Sequence, residues 1–179
     1  MKKILIVAFL IISVSAAVQD ESRFSTDGAS VTWKNVYQTQ LDSAGVADAL
    51  IGSGRFDGII PTKDGFSCRI VPHEVDYRGA GVKRGLTAMY LLGGEMEGRA
   101  VVQIREGRYR VTVDGVVFTT TLETPLSKIG ERTRLEDYVM NGKGEFRSNF
   151  WKKGSAPVLD FDLLSLFEIK ETNDQEEDW

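Results

Sequence analysis

Apolar and polar residues alternate over short stretches through most of the chain, and a few stretches repeat at helical spacing instead. Across 30–37, Val31, Trp33 and Tyr37 fall at period two, the pattern of a strand with one buried face. The period then changes. Val46 and Leu50 stand at i and i+4, and Ala47 and Ile51 widen the stripe. Asp42 or Ser43 can cap the start and Gly52 or Gly54 the end, which predicts a short helix. Residues 56–60 and 66–71 read as two strands joined through Pro61 and the Asp64-Gly65 turn. Residues 76–85 mix glycine and alanine with Tyr77, Arg78, Lys83 and Arg84, a composition that neither packs nor repeats, and read as a long surface loop. Residues 86–92 alternate again, with Leu86, Ala88, Tyr90 and Leu92 on one outward side. They predict a strand that ends in a Gly93-Gly94 turn.

The best-determined element is the hairpin over 95–105 and 108–118. With Glu106-Gly107 as its turn, facing residues have numbers that sum to 213, so Ile104 meets Tyr109, Val102 meets Val111 and Ala100 meets Val113. All three pairs are apolar, and a slip of one residue would turn both strands inside out. The same register sets Arg105 against Arg108 and Gln103 against Arg110 on the outer face. Three guanidinium groups at one end of a hairpin repel one another. The acidic segment from Glu168 onward, an acidic side chain of the closing segment, or an anionic ligand held by guanidinium forks would relieve that repulsion.

After Phe118 the pattern weakens. Leu135, Tyr138 and Val139 suggest a short helical stripe, and Pro157 leads into a helix to Phe167 with Leu159, Leu163, Leu166 and Phe167 on one side. A helix after the first strand, a run of antiparallel strands and a closing helix define an α+β domain whose helices pack on one face of an antiparallel sheet.

The ends and the charge add an address. Lys2 and Lys3, the apolar run 4–14 and Ser15-Ala16-Ala17 form a secretory signal over 1–17. That run is too short to span a membrane, which takes about 20 apolar residues. A single domain over 18–167 and an acidic tail over 168–179 come next, in a periplasmic or secreted protein with no membrane span after cleavage. The 179 residues are 42% hydrophobic and 27% charged, ordinary for one globular domain. Losing the two signal lysines takes the net charge from −4 to −6, which opposes nucleic-acid binding.

No complete catalytic set is legible. Cys68 lies on the apolar side of its strand, and His73, five residues on, would point to the other face if the strand ran through Pro72. Gly65-Phe66-Ser67-Cys68-Arg69 lacks the second glycine of a nucleophile elbow. Asp57, Asp64, Glu74 and Asp76 lack the spacing of a calcium loop. One cysteine and one histidine exclude multi-ligand zinc sites. Gly52-Ser53-Gly54 closes a helix and opens none, so it is no dinucleotide loop. No catalytic residue, cofactor or metal site is expected.

The stretch Gly98–Val113, with its Gly-Arg-Tyr-Arg turn, resembles the signature of a secreted bacterial domain family of unknown function. The likeness extends to Trp33–Tyr37, to Asp76-Tyr77-Arg78 with Gly81, to Leu135–Tyr138 and to Leu159-Asp160-Phe161. It implies a fold like that of the TATA-binding protein, and it brings no catalytic residues. The expected function is a non-catalytic binding module of the envelope or periplasm for a protein or an anionic envelope ligand. Its contacts are Arg105, Arg108 and Arg110, with Arg78, Lys83 and Arg84 as further anion contacts. The alternatives are an inhibitor of a secreted enzyme that presents the Glu106-Gly107 turn, and a hydrolase using carboxylates such as Glu95 and Glu97.

Overall fold

The computed structural model describes residues 22–123, 127–151 and 154–170. The signal over 1–17 and most of the acidic tail lie outside the described residues. The chain forms β1 (Phe24–Thr26), β2 (Val31–Gln38), α1 (Ser43–Gly52), β3 (Phe56–Thr62), β4 (Gly65–Glu74), α2 (Met89–Leu92), β5 (Gly94–Arg105), β6 (Arg108–Thr120), β7 (Arg132–Arg134), α3 (Leu135–Val139) and α4 (Ala156–Phe167). All strand pairings are antiparallel, in the order β1-β2-β6-β5-β4-β3, and β7 adds to the far end of β6.

The expected hairpin register holds. Ile104 pairs with Tyr109, Val102 with Val111, Ala100 with Val113, Gln103 with Arg110 and Arg105 with Arg108. Gly107 has φ +72, a left-handed conformation that glycine adopts without a Cβ penalty. The expected cap of α1 also holds, since Asp42 Oδ1 accepts the Gly45 N–H at 2.8 Å.

One side of the sheet is covered. Trp33, Cys68, Ile70, Ala100, Val102, Tyr109, Val111, Val113 and Phe118 are buried there with Val46 and Leu50 of α1 and Leu159, Leu163 and Phe167 of α4. Phe167 stacks on Phe56 at 4.8 Å and on Trp33 at 6.4 Å. The end of α4 is tied to the sheet by two phenols: Tyr109 donates to the Phe167 carbonyl at 2.7 Å and Tyr37 to the Leu164 carbonyl at 3.1 Å. Asp160 accepts from Trp33 Nε1 and from Arg23 at 2.8 Å each, which fixes the start of the same helix.

Two expectations need correction. Residues 86–92 form no strand: a 3-10 turn over Arg84–Leu86 and the short helix α2 occupy this stretch. Both edges of β5 are already taken by β4 and β6, so no strand slot is left beside it. Tyr90 and Leu91, adjacent in sequence, both turn inward. Leu91 is buried and Tyr90 stacks on Tyr138 at 4.1 Å, a pattern a helical turn permits and a strand does not. The supposed outward apolar row therefore does not exist; Leu86 alone of the four is fully exposed. The loop over 76–85 also packs more than its composition suggests, through Tyr77, Ala80 and Val82 against the core.

Candidate functional site

The opposite side of the sheet carries no helix among the described contacts, and its charges fall into two groups. The first lies across the middle. Asp57, Arg69, Arg99 and Asp114 form one row through β3, β4, β5 and β6. Near this row each strand pairing shifts register, at Gly58 in β3, Pro72 in β4, and Gly98 and Gly115 in β5 and β6. Bulges of this kind bend a sheet. The result is a groove of about 510 Å³ lined by Asp57, Arg69, Arg99, Glu97 and Arg132, among others. Every arginine of the groove has its own carboxylate. Arg69 Nε lies 2.9 Å from Asp57, Arg99 grips both oxygens of Asp114 at 2.9 Å each, and Arg132 pairs with Glu97.

The second group sits at the hairpin end. Arg105, Arg108 and Arg110 line a depression of about 210 Å³ with Gln103, Asp64 and Val36. Arg110 donates Nε and Nη2 to Gln103 Oε1 at 3.1 and 2.6 Å, a neutral acceptor that holds the guanidinium without cancelling its charge. Among the described residues, none of these three arginines has a carboxylate within the 4.0 Å of an ion pair. Arg105 and Arg108 stand directly opposite each other and both are exposed. The remaining donors of three forked cations therefore face one small concavity.

Arg78, Lys83 and Arg84 are not part of this site. They come after the end of β4, whose Glu74 pairs with Glu95 near the start of β5, at the opposite end of the sheet from Arg105. The run of β5 between these ends spans about 35 Å at the rise of a strand. Arg78 packs over the Tyr77 ring and, with Arg84, lines a separate hollow with Glu74 and Asp76. The six candidate residues thus form two groups that no single small ligand bridges.

The groups that could do covalent chemistry are committed elsewhere. Cys68 is 2% exposed, and burial pushes its thiol up to about 11, away from the thiolate a nucleophile needs. His73 Nδ1 lies 3.1 Å from the Val71 carbonyl and Nε2 2.9 Å from Asp162 Oδ2. Both neighbours are acceptors, so the ring satisfies both only as the doubly protonated cation, and neither nitrogen is left to serve as a base. The bulge in β4 between Ile70 and His73 turns His73 toward α4. Asp162, 89 residues away, was invisible as its partner in the sequence. Glu97 faces Arg132, and Glu95 faces Glu74 on the neighbouring strand. Among the described residues, no group of three or more His, Cys, Asp or Glu could hold a metal.

Fold and site together define an α+β protein with one helix-covered sheet face and one open, arginine-bearing face. Two solved structures are similar to it. One is a TBP-like protein from Parabacteroides distasonis ATCC 8503, at 12% identity over 81% of this chain and 91% of that one, with a TM-score of 0.45. The other is a DUF4468 family protein from Bacteroides ovatus ATCC 8483, at 13% identity over 86% and 94%, with a TM-score of 0.44. No family model matches the chain, and no curated protein matches it in sequence.

Proposed function

We propose that the protein is a non-catalytic binding module, acting in the periplasm or outside the cell, which holds an anionic partner at the hairpin end of its open sheet face. Arg105, Arg108 and Arg110 are the contacts. The observation that carries this reading is the contrast in pairing: each arginine of the central groove is ion-paired with a carboxylate, whereas among the described residues no arginine of the hairpin end is, and the one carboxylate lining that depression, Asp64, forms no ion pair with them. Uncompensated like charges set opposite each other cost stability, so a partner that supplies negative charge gains both new hydrogen bonds and relief of that repulsion.

The spacing favours one kind of partner. Arg108 and Arg110 are two residues apart on β6, about 7 Å along the strand. An extended polypeptide with acidic residues at every second position repeats at the same distance. The expected ligand is therefore an acidic, extended segment of another protein. Non-catalytic action is supported by the buried thiol and by an imidazole whose two nitrogens are both occupied. The address is supported by the signal pattern over 1–17, and among the described residues no helix is long and apolar enough to cross a membrane.

The test is binding of a fluorescent hexaglutamate peptide at low ionic strength, monitored by anisotropy. R108E/R110E is expected to weaken it at least about tenfold, the loss of one or two charge-assisted contacts. R69Q/R99Q, in the compensated groove, is expected to leave it within about twofold. Equal binding by R108E/R110E, or a larger loss from R69Q/R99Q, overturns the assignment. Tripolyphosphate that displaces the peptide with higher affinity would redirect the partner toward an anionic envelope polymer.

A further inference from the structure

Beside the arginine site, β2 has an open edge. Its register with β6 runs unbroken from Trp33 opposite Val113 to Gln38 opposite Arg108, and β1 covers the other edge only along Val31–Trp33. In a strand the N–H and C=O of one residue point to the same side, and successive residues alternate. The Lys34 N–H donates to the Arg23 carbonyl at 2.9 Å, on the β1 side, and the Thr39 N–H donates to the Gly107 carbonyl at 3.1 Å, on the β6 side. The even-numbered residues of β2 therefore turn their backbone groups away from β6. Past Lys34 these are Val36 and Gln38, whose N–H and C=O groups on that side have no backbone partner among the described residues.

An unpaired edge is a template for another strand. The other outer strand of the sheet, β3, is guarded by Pro61 and by the register shift between Asp57 and Ile60. Over Val36–Gln38, β2 has neither device. Register also fixes what such a strand brings. In an antiparallel pair, facing residues put their side chains on the same side of the sheet. A ligand residue opposite Val36 falls in the row of Val36 and Arg110, and the residue two positions away, opposite Gln38, falls in the row of Gln38 and Arg108. Both side chains stand on the open face, two strand spacings or about 10 Å from β6, a gap that a glutamate and an extended arginine close between them. Val36, 49% exposed and part of the lining of the arginine depression, lies beneath that bridge. Lys34, exposed in the next row, adds a cation on the same side.

We propose that the acidic segment of the partner docks as an added antiparallel strand on β2, its backbone bonded to Val36 and Gln38 and its alternate carboxylates reaching Arg110 and Arg108. This rests on the reading of Arg105, Arg108 and Arg110 as an anion site. The arginines select charge, and the edge selects an extended polypeptide over a compact anion.

The experiment follows amide hydrogen exchange of the full chain by NMR, with and without saturating hexaglutamate at low ionic strength. It also compares the affinity of hexaglutamate with that of its fully N-methylated form, which keeps every side-chain carboxylate and has no internal backbone N–H to donate. The Val36 and Gln38 amides are expected to exchange fast in the free chain and at least about tenfold slower in the complex. Those of Asn35 and Tyr37, which face β6, should be slow in both. The N-methylated peptide is expected to bind about fivefold or more weakly. Unchanged exchange at Val36 and Gln38 in the saturated complex, or equal affinity of the two peptides, overturns strand addition and leaves the arginine site standing. Slow exchange of both amides in the free chain marks an edge already taken and overturns strand addition too. Hexaglutamate that does not bind, or that binds R108E/R110E as tightly as the native chain, overturns the arginine site itself.

Discussion

The two faces of the β5–β6 hairpin obey different physics. On the covered face, Ala100, Val102, Tyr109, Val111 and Val113 are essentially without solvent contact, and their partners in α1 and α4 are equally buried. Any change there removes apolar contact or leaves a void. On the open face, alternate residues of the same strands carry Arg99, Arg105, Arg108, Arg110 and Asp114. Exposed charges contribute at most about 1 kcal/mol each to stability. One hairpin can thus hold a rigid register from one side while the other side is free to vary its charge, and that freedom makes a functional surface possible.

The strongest break of this comparison is Phe167→Ala. Phe167 is fully buried, and two aromatic rings stack on it. The truncation is expected to cost about 3–5 kcal/mol. In urea unfolding it should lower the midpoint without changing the slope. A loss below about 1 kcal/mol would show that α4 is not what closes the covered face.

The next is the clasp between β4 and α4. Asp162 is buried; it accepts the Asp76 N–H at 2.9 Å with one oxygen and His73 with the other. Burial pushes the His73 ring down from its ordinary value of 6.5, but the hydrogen bond and charge of Asp162 outweigh this and raise it. A raised folded value means that the clasp contributes fully below about pH 6.5 and fades as pH rises through the folded value. Urea midpoints should therefore fall between about pH 6 and pH 9 in the native chain, and this component should be absent in Asp162→Asn. Asp162→Ala is expected to cost about 2–3 kcal/mol at pH 6, below the range for fully buried pairs because His73 is one-quarter exposed. A native midpoint that is flat or rises over that interval would mean that His73 is not held as a cation.

How far the sequence reveals each face depends on the same contrast. The covered face is legible because burial demands an apolar residue at every second position, so the register of β5 and β6 and the capped helix α1 are readable from local pattern. The three-residue strands β1 and β7 are too short to show a period. The helical turn α2 mimics one, because Leu86, Ala88, Tyr90 and Leu92 happen to alternate. The open face is legible only where the register reaches. Arg99 opposite Asp114 obeys the same count that sets Arg105 against Arg108, and the bulge at Gly98 breaks that count only beyond it. Arg132 with Glu97, and Arg69 with Asp57, depend on β7 and on bulges that break the count. The His73–Asp162 clasp joins residues 89 apart through a bulge, and no local signal marks it.

The smallest effect separates the faces most sharply. Arg108→Glu places a carboxylate opposite Arg105, where now two cations face each other. Cross-strand pairs of opposite charge favour a sheet by about 0.2–1 kcal/mol, and like charges oppose it. The variant is therefore expected to be more stable than the native chain by about 0.5 kcal/mol at low salt, with the gain shrinking as salt is added. The same substitution is expected to weaken hexaglutamate binding. A residue whose replacement improves folding and harms binding is one whose native identity folding does not explain. Arg99→Glu should behave in the opposite way, losing a bidentate partner in Asp114 at a cost of about 0.5–1 kcal/mol while leaving binding untouched. If both variants shift stability in the same direction, the two groups of arginines are one kind of surface, and the hairpin end has no special claim to a ligand.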